Sequence, residues 1–276
     1  MRLKNETKNA GKVIKLTSLL GLSAMFIVGG VAHTNLYAAT ITPVAFEKLE
    51  QNYALARQMP DGYSKPDYKV RVKENPNKPT NTELTANDAA EIMSQEIYRY
   101  LHTTISGKTI EVDYRDARKG YKSSWHGHIK MDPMCTISVN IDSVTGEINF
   151  VSRTALKPVE SIKNDGEIVY HEDVQKKYKN KFTSEQKKVE TLIAQSGVLP
   201  EQVKSITYDR LDSGYYYDET HQDENHPLGE LVNHEIKVET VSGKVYVITL
   251  SEDFTSIEGI ETPEYVKAFE ASLPKR

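Results

Sequence analysis

One pattern constrains the fold of this chain more than any other: a helical stripe followed by four alternating segments occurs twice. Apolar residues recur at helical spacing after Thr85 and again after Thr183. After each stripe in the sequence, apolar and polar residues alternate in short runs, as they do in half-buried strands. These runs cover 109–114, 124–130, 136–141 and 147–151 in the first half, and 205–210, 235–241, 244–250 and 254–260 in the second. We predict an α+β fold of two tandem units, each an amphipathic helix packed on a small antiparallel sheet.

Both helices have a start signal of the capping-box type. Thr85 is followed three residues later by Asp88, and Thr183 is followed by Gln186 at the same spacing. In such a box the hydroxyl of the first residue accepts a backbone hydrogen bond, and the later side chain reaches back to the first backbone N–H. The sequence therefore places the two N-caps at Thr85 and Thr183.

The chain opens with a segment typical of secretory signals. Residues 1–15 contain five basic residues and one acidic residue, residues 16–32 are uncharged, and the small pair Ala38-Ala39 follows. This order predicts a signal peptide at 1–39. An uncleaved signal-anchor is the alternative, because Tyr37 is bulky for the position three residues before cleavage. Both versions make the protein secreted or part of the cell envelope, and only the anchor would touch the membrane.

Composition and periodicity set the remaining boundaries. The sequence predicts a short helix at 40–59, a proline-rich linker at 60–84, a first unit at 85–155, a connecting segment at 156–182, a second unit at 183–261 and a C-terminal helix at 262–276.

Charge and cysteine content exclude several classes of protein. Without residues 1–39 the chain has 30 basic and 38 acidic residues, a net charge of −8. This acidic balance argues against a nucleic-acid partner. The single cysteine, Cys135, excludes an internal disulfide and a cysteine-rich zinc module, and we expect it to be a free, at least half-buried thiol.

His126 and His128 form the pair most like metal ligands. Two residues apart on a strand, their side chains point to one face, while Trp125 and Ile129 point to the other, apolar face. No third ligand is spaced nearby in the sequence, so we favour a solvated strand face over a metal site.

The segment Asp212–Glu230 is acidic and rich in tyrosine, and it makes the second half longer than the first. It contains Tyr215, Tyr216 and Tyr217, together with His221 and His226. We predict a recognition loop that folding does not require, with the three tyrosines as a recognition surface to which His126 and His128 also belong. Calcium binding by its carboxylates is the alternative, although the EF-hand loop pattern is absent.

The closing segment of the first half carries a family resemblance. It reads Ile137-Ser-Val-Asn-Ile-Asp-Ser-Val-Thr-Gly-Glu-Ile148, and the helix before it contains Ala89-Ala90-Glu91-Ile92. Both resemble the PepSY domain, in which a helix precedes an antiparallel sheet that closes on a strand, an Asp with a Thr-Gly turn, and a last strand. The second half departs from this pattern, because Tyr246–Ile257 lacks the Thr-Gly. The resemblance implies a non-catalytic extracytoplasmic module, often associated with restraining peptidases.

These observations lead to one functional expectation and one alternative. The sequence contains no nucleophile, phosphate-loop or dinucleotide motif, so we expect no enzyme, no cofactor and no metal. We expect a secreted PepSY-like protein that binds other extracytoplasmic proteins, with a secreted peptidase or a cell-envelope protein as partner. The alternative is a cell-envelope metal-binding protein or enzyme that uses the histidines and the acidic loop.

Overall fold

The computed structural model describes residues 59–75, 77–118, 120–157, 172–216 and 229–273. The signal segment, the helix predicted at 40–59 and most of the acidic segment lie outside these residues. In chain order the described elements are β1 (Lys69–Val72), α1 (Ala86–Leu101), β2 (Thr109–Arg115), β3 (Ser124–Asp132), β4 (Cys135–Asp142), β5 (Ile148–Ala155), α2 (Glu172–Ser196), β6 (Val203–Tyr216), β7 (Gly229–Thr240), β8 (Val245–Ser251), β9 (Ile257–Glu261) and α3 (Pro263–Ser272).

All nine described strands belong to one sheet, in the order β1-β2-β3-β4-β5-β9-β8-β7-β6. The pair β1–β2 is parallel and every other pair is antiparallel. The prediction of two tandem units, each with its own small sheet, is therefore wrong. The last strands of the two halves, β5 and β9, pair with each other and make the sheet continuous.

The join between β5 and β9 requires a glycine. Ser152 pairs with Gly259 across the two strands. A Cβ atom at Gly259 would lie 2.9 Å from the Val151 carbonyl oxygen, closer than real contacts of this kind. Pairing removes two exposed sheet edges that separate units would have left open to other chains. The physical reason for the wrong prediction is that strand periodicity contains no information about which edges meet.

The two long helices pack on one face of the sheet and share one hydrophobic core. That cluster contains Ile97 of α1, Val189 of α2, Val139 of β4 and Ile248 of β8, all fully buried. The core is thus continuous across the join, which makes the two halves one packed body.

The two helix starts have different outcomes. The capping box at Thr85 and Asp88 is confirmed, with both reciprocal hydrogen bonds present. The second predicted start is wrong, because α2 begins at Glu172 and Thr183 lies inside it. The Thr183 hydroxyl donates to the Lys179 carbonyl oxygen of the preceding turn at 3.0 Å, a bond that lets threonine sit within a helix. The segment predicted as a connection, 156–182, is helical from Glu172 onward.

The segment predicted as a linker, 60–84, is fixed to α1 and to the sheet. It supplies β1, and it also contacts Glu91 of α1, which is only 8% exposed. The Tyr68 hydroxyl donates to Glu91 Oε2 at 2.7 Å and Lys65 Nζ lies 2.7 Å from the same oxygen. Because these contacts hold the segment across α1, we refer to residues 60–84 as the strap.

The opposite face of the sheet carries α3. Tyr265 of α3 packs on Phe150 of β5 with ring centroids 5.2 Å apart. Side chains alternate along a strand, so Phe150 and the core residue Val151 lie on opposite faces. No helix in the described part of the chain is long and apolar enough to cross a membrane.

Candidate functional site

The first strands of the two halves, β2 and β6, differ in what covers their outer sides. At one edge, β1 is added in parallel to β2, the first strand of its half, from Lys69 opposite Thr109 to Val72 opposite Val112. The Lys69 N–H donates to the Lys108 carbonyl oxygen at 2.9 Å, and the Lys73 N–H donates to the Val112 carbonyl oxygen at 2.9 Å. The outer groups of β2 are therefore paired by a strand from the strap.

The other edge is β6, the first strand of the second half. It has 14 residues, and all but the bulge residues Lys204 and Asp209 pair on one side with β7. Among the described residues no strand pairs with its outer side. A row of unpaired backbone groups can accept a further strand. The other terminal strand, β1, has only 4 residues, so the longer β6 is the candidate functional site. We refer to its open part, 204–209, as the β6 edge.

The register shows which groups the β6 edge offers. The Thr240 N–H donates toward β8, to the Lys244 carbonyl oxygen at 2.9 Å. Groups two residues apart on a strand point the same way, so Val238 and Ile236 of β7 also face β8. Their partners on β6 are Ile206 and Tyr208. The backbone N–H and C=O groups of Ile206 and Tyr208 consequently point outward.

The side chain of Gln175 covers the outer side of β6 at Leu211, the next outward-facing residue after Tyr208. The Gln175 amide nitrogen of α2 donates to the Leu211 carbonyl oxygen at 3.3 Å, and the Leu211 N–H donates to Gln175 Oε1 at 3.0 Å. One amide thus makes both bonds that a neighbouring strand would make. This contact limits the β6 edge on one side, and a bulge between Val203 and Ser205 limits it on the other.

Aromatic side chains hold β6 against the helix face. Tyr208 lies between Phe182 of α2 and His234 of β7, with ring centroids 5.5 Å and 5.9 Å away. His234 stacks on Phe254 at 4.3 Å, and its Nδ1 is 3.3 Å from the Tyr208 hydroxyl. Burial lowers the pKa of His234 to about 4, so the ring is neutral at pH 7. These contacts fix the backbone of the β6 edge against α2 and β7.

Acidic groups predominate on the opposite face beside β6. Arg210 Nη2 lies 2.6 Å from Glu235 Oε2, and Lys237 Nζ lies 3.3 Å from Asp209 Oδ1. Burial, with Glu235 nearby, raises the pKa of Glu261 to about 7. Over β6 and β7 together, acidic residues outnumber basic ones by five to three, namely Asp209, Asp212, Glu230, Glu235 and Glu239 against Lys204, Arg210 and Lys237.

The described backbones of the predicted recognition residues lie on two strands far apart in the sheet, His126 and His128 on β3 and Tyr215 and Tyr216 on β6, with five strands between them. The expectation of a solvated face at His126 is wrong, because its side chain is 5% exposed and burial holds its pKa well below the usual value. The Nδ1 of His126 has no hydrogen-bond partner among the described residues. His128, two residues on, is half-buried, and Trp125 and Ile129 are buried on the helix face as predicted.

The tyrosine segment is partly strand. The backbones of Tyr215 and Tyr216 belong to β6, opposite Glu230 and Gly229, so the loop predicted over Asp212–Glu230 is wrong at both ends. Tyr217, His221 and His226 lie outside the described residues, and the recognition role of the tyrosines stays a prediction.

Metal and thiol chemistry have little support in the described ranges. No three histidine, cysteine or acidic side chains within them are grouped to hold a metal ion. Cys135 is a half-buried free thiol, and burial raises its pKa, which disfavours the reactive thiolate.

Comparison of the chain with protein-family models, with curated proteins and with solved structures gives no match. The PepSY resemblance therefore stays a prediction. The residues that matter here, Gln175, Ile206 and Tyr208, were not singled out by the sequence, since strand order in a sheet leaves no local signal.

Proposed function

We propose that this protein acts outside the cytoplasm as a non-catalytic binding module that pairs an extended segment of another protein with the β6 edge. One observation carries the proposal: the equivalent edge of the first half, β2, is covered by the added strand β1, whereas β6 has no such strand among the described residues. The outward groups of Ile206 and Tyr208 supply the backbone bonds of such a pairing.

The charge around the edge favours a basic partner segment. β6 and its neighbour β7 carry five acidic residues and three basic ones, which leaves a net negative charge beside the edge. Opposite charges on neighbouring strands attract, while like charges directly opposite destabilise the pair. A partner strand with lysine or arginine side chains therefore fits better than an acidic one.

The class of partner is proposed from the sequence. The signal segment at 1–39 supports a partner in the secreted fraction or the cell envelope, and the PepSY-like segments support a peptidase or its precursor. Binding of an extended segment would restrain such a partner without any chemical step.

The test uses random peptides displayed on phage, selected for binding to the purified protein. Ile206→Pro removes one outward N–H. Proline is tolerated on an edge strand where the missing N–H would face solvent, so the sheet should stay intact. Ile206→Ala is the matched control, because it removes the same side chain and keeps the N–H. We expect extended, basic peptides whose affinity is at least about fivefold weaker for Ile206→Pro than for Ile206→Ala. Equal affinity for the two variants would exclude the β6 edge as the site.

A further inference from the structure

A small cavity lies between the strap and the C-terminal end of α1, away from the β6 edge. Its volume is about 200 Å³, roughly the share of seven water molecules in the liquid. Six of its eight lining residues carry a hydroxyl group, namely Tyr63, Ser64, Ser94, Tyr98, Thr103 and Thr104.

The floor of the cavity is fixed by hydrogen bonds, and its mouth faces solvent. Ser94 is 2% exposed, and its Oγ lies 2.9 Å from the Tyr63 hydroxyl. Ser64 and Thr104, at the mouth, are both exposed. A solute can therefore enter without any movement of the strap.

Two tyrosine rings form an aromatic corner in the wall. The rings of Tyr63 and Tyr98 meet edge to face, with centroids 5.7 Å apart and planes inclined at 68°. The arrangement is one of the preferred geometries for aromatic pairs, so the rings hold each other in place. They offer apolar surface next to the hydroxyl groups.

Charge excludes ions from this cavity. None of its lining residues is charged, and a buried ion without a partner is costly. The Tyr63 hydroxyl donates to the Glu91 carboxylate at 3.1 Å, and this carboxylate is paired with Lys65 at 2.7 Å and accepts from Gln95 at 3.1 Å. The Arg153 guanidinium behind Thr103 is likewise paired with Glu258 at 2.5 Å. An ionic ligand of either sign therefore finds no free charge to pair with.

We propose that this cavity binds a neutral polyhydroxylated molecule of monosaccharide size. Hydroxyl groups both donate and accept hydrogen bonds, so a wall of hydroxyls matches a ligand whose own groups do the same. The apolar faces of Tyr63 and Tyr98 match the C–H surfaces of a sugar ring. The volume of the cavity accommodates about one such ring.

The test follows the amide resonances of the protein by NMR during titration with glucose and with N-acetylglucosamine. Glycerol tests the size requirement, and glucuronate tests the exclusion of anions. We expect saturable shifts around Ser94, Tyr98 and Thr103 with at least one neutral monosaccharide, at a Kd of about 1–10 mM. Glucuronate and glycerol should bind at least about tenfold more weakly.

Two hydroxyl deletions separate binding from folding. Tyr98→Phe removes one hydroxyl from the wall and should weaken binding about three- to tenfold. Tyr121→Phe removes a hydroxyl that contacts Ser272 of α3, away from the cavity, and should leave binding unchanged. No saturable shift up to about 100 mM of either neutral sugar, equal binding of glucuronate, or unchanged affinity in Tyr98→Phe would overturn the proposal. The first of these results would mean that the cavity holds only water.

Discussion

The two halves of the sheet have the same order of elements but differ at their outer edges. Each half has one long helix followed by four antiparallel strands, and their last strands, β5 and β9, pair at the centre. At one outer edge the strap adds β1 to β2. At the other, β6 has one side-chain contact, from Gln175, and no added strand among the described residues. The first half thus demonstrates strand addition at the position that the second half leaves open.

The largest effect should come from breaking the join between the halves. In Gly259→Ala the new Cβ would meet the Val151 carbonyl oxygen at 2.9 Å, so β5 and β9 must separate. We expect a loss of about 3 kcal/mol in the free energy of unfolding, as for overpacked sites. Thr249→Val, at the position paired with Gly259 on β8, should cost less than about 1 kcal/mol. Urea unfolding measures both, and equal losses would mean that the join is not tightly packed.

The second prediction concerns the buried histidine of the second half. Because the pKa of His234 is about 4 when folded, the unfolded chain binds more protons between about pH 6.5 and 4. The ionisation of His234 should therefore lower stability by about 2 kcal/mol as the pH drops through this range. Glu261 acts in the opposite direction there, because its raised pKa of about 7 makes the folded chain bind more protons than the unfolded chain.

A variant assigns this acid sensitivity to one residue. Relative to the wild-type protein, His234→Gln should gain about 2 kcal/mol in the free energy of unfolding as the pH drops from about 6.5 to 4. For His102→Gln, at an exposed site on the end of α1, the difference from wild type should not change with pH. An unchanged profile in His234→Gln would contradict the neutral, buried ring.

The third prediction compares the two threonines that look alike in the sequence. Thr85→Ala removes a real cap from α1 and should lower stability by about 1 kcal/mol. Thr183→Ala lies inside α2, where alanine is the better helix former, and should change stability by less than about 0.5 kcal/mol. Thermal unfolding of the two variants under the same conditions measures the contrast. Equal losses would place a helix start at Thr183.

The smallest effect on stability should come from uncovering Leu211. Gln175→Ala removes both amide contacts with β6 and should cost about 0.5–1 kcal/mol. It lengthens the open edge, so self-association should increase at high protein concentration. Gln186→Ala on the same helix, which removes an exposed contact with Glu190, is the control. Light scattering that does not distinguish the two variants would argue against an accessible edge.

Local features of the fold could be predicted from the sequence, because they depend on near neighbours. The capping box at Thr85 and the alternation that buries Trp125 are examples. At Thr183 the same local signal was misleading, since a threonine inside a helix can bond to the preceding turn.

Features that depend on distant contacts could not be predicted. The sequence around Gly259 gives no sign that its strand meets β5, more than a hundred residues earlier. The burial of His126 follows from packing on the second face of the sheet, which alternation alone does not reveal. The open edge at Ile206 depends on the order of all nine strands, so the candidate site required the structure.

Hydrogen exchange of individual amides, measured by NMR with and without a selected basic peptide, tests the central claim most directly. In the free protein the Ile206 and Tyr208 amides should exchange fast, while the Thr207 amide, which faces β7, should be protected. The peptide should slow exchange at Ile206 and Tyr208 by at least about tenfold and leave Thr207 unchanged. Protection of Ile206 and Tyr208 in the free protein, or peptide-induced protection elsewhere with none at these two amides, would contradict the account.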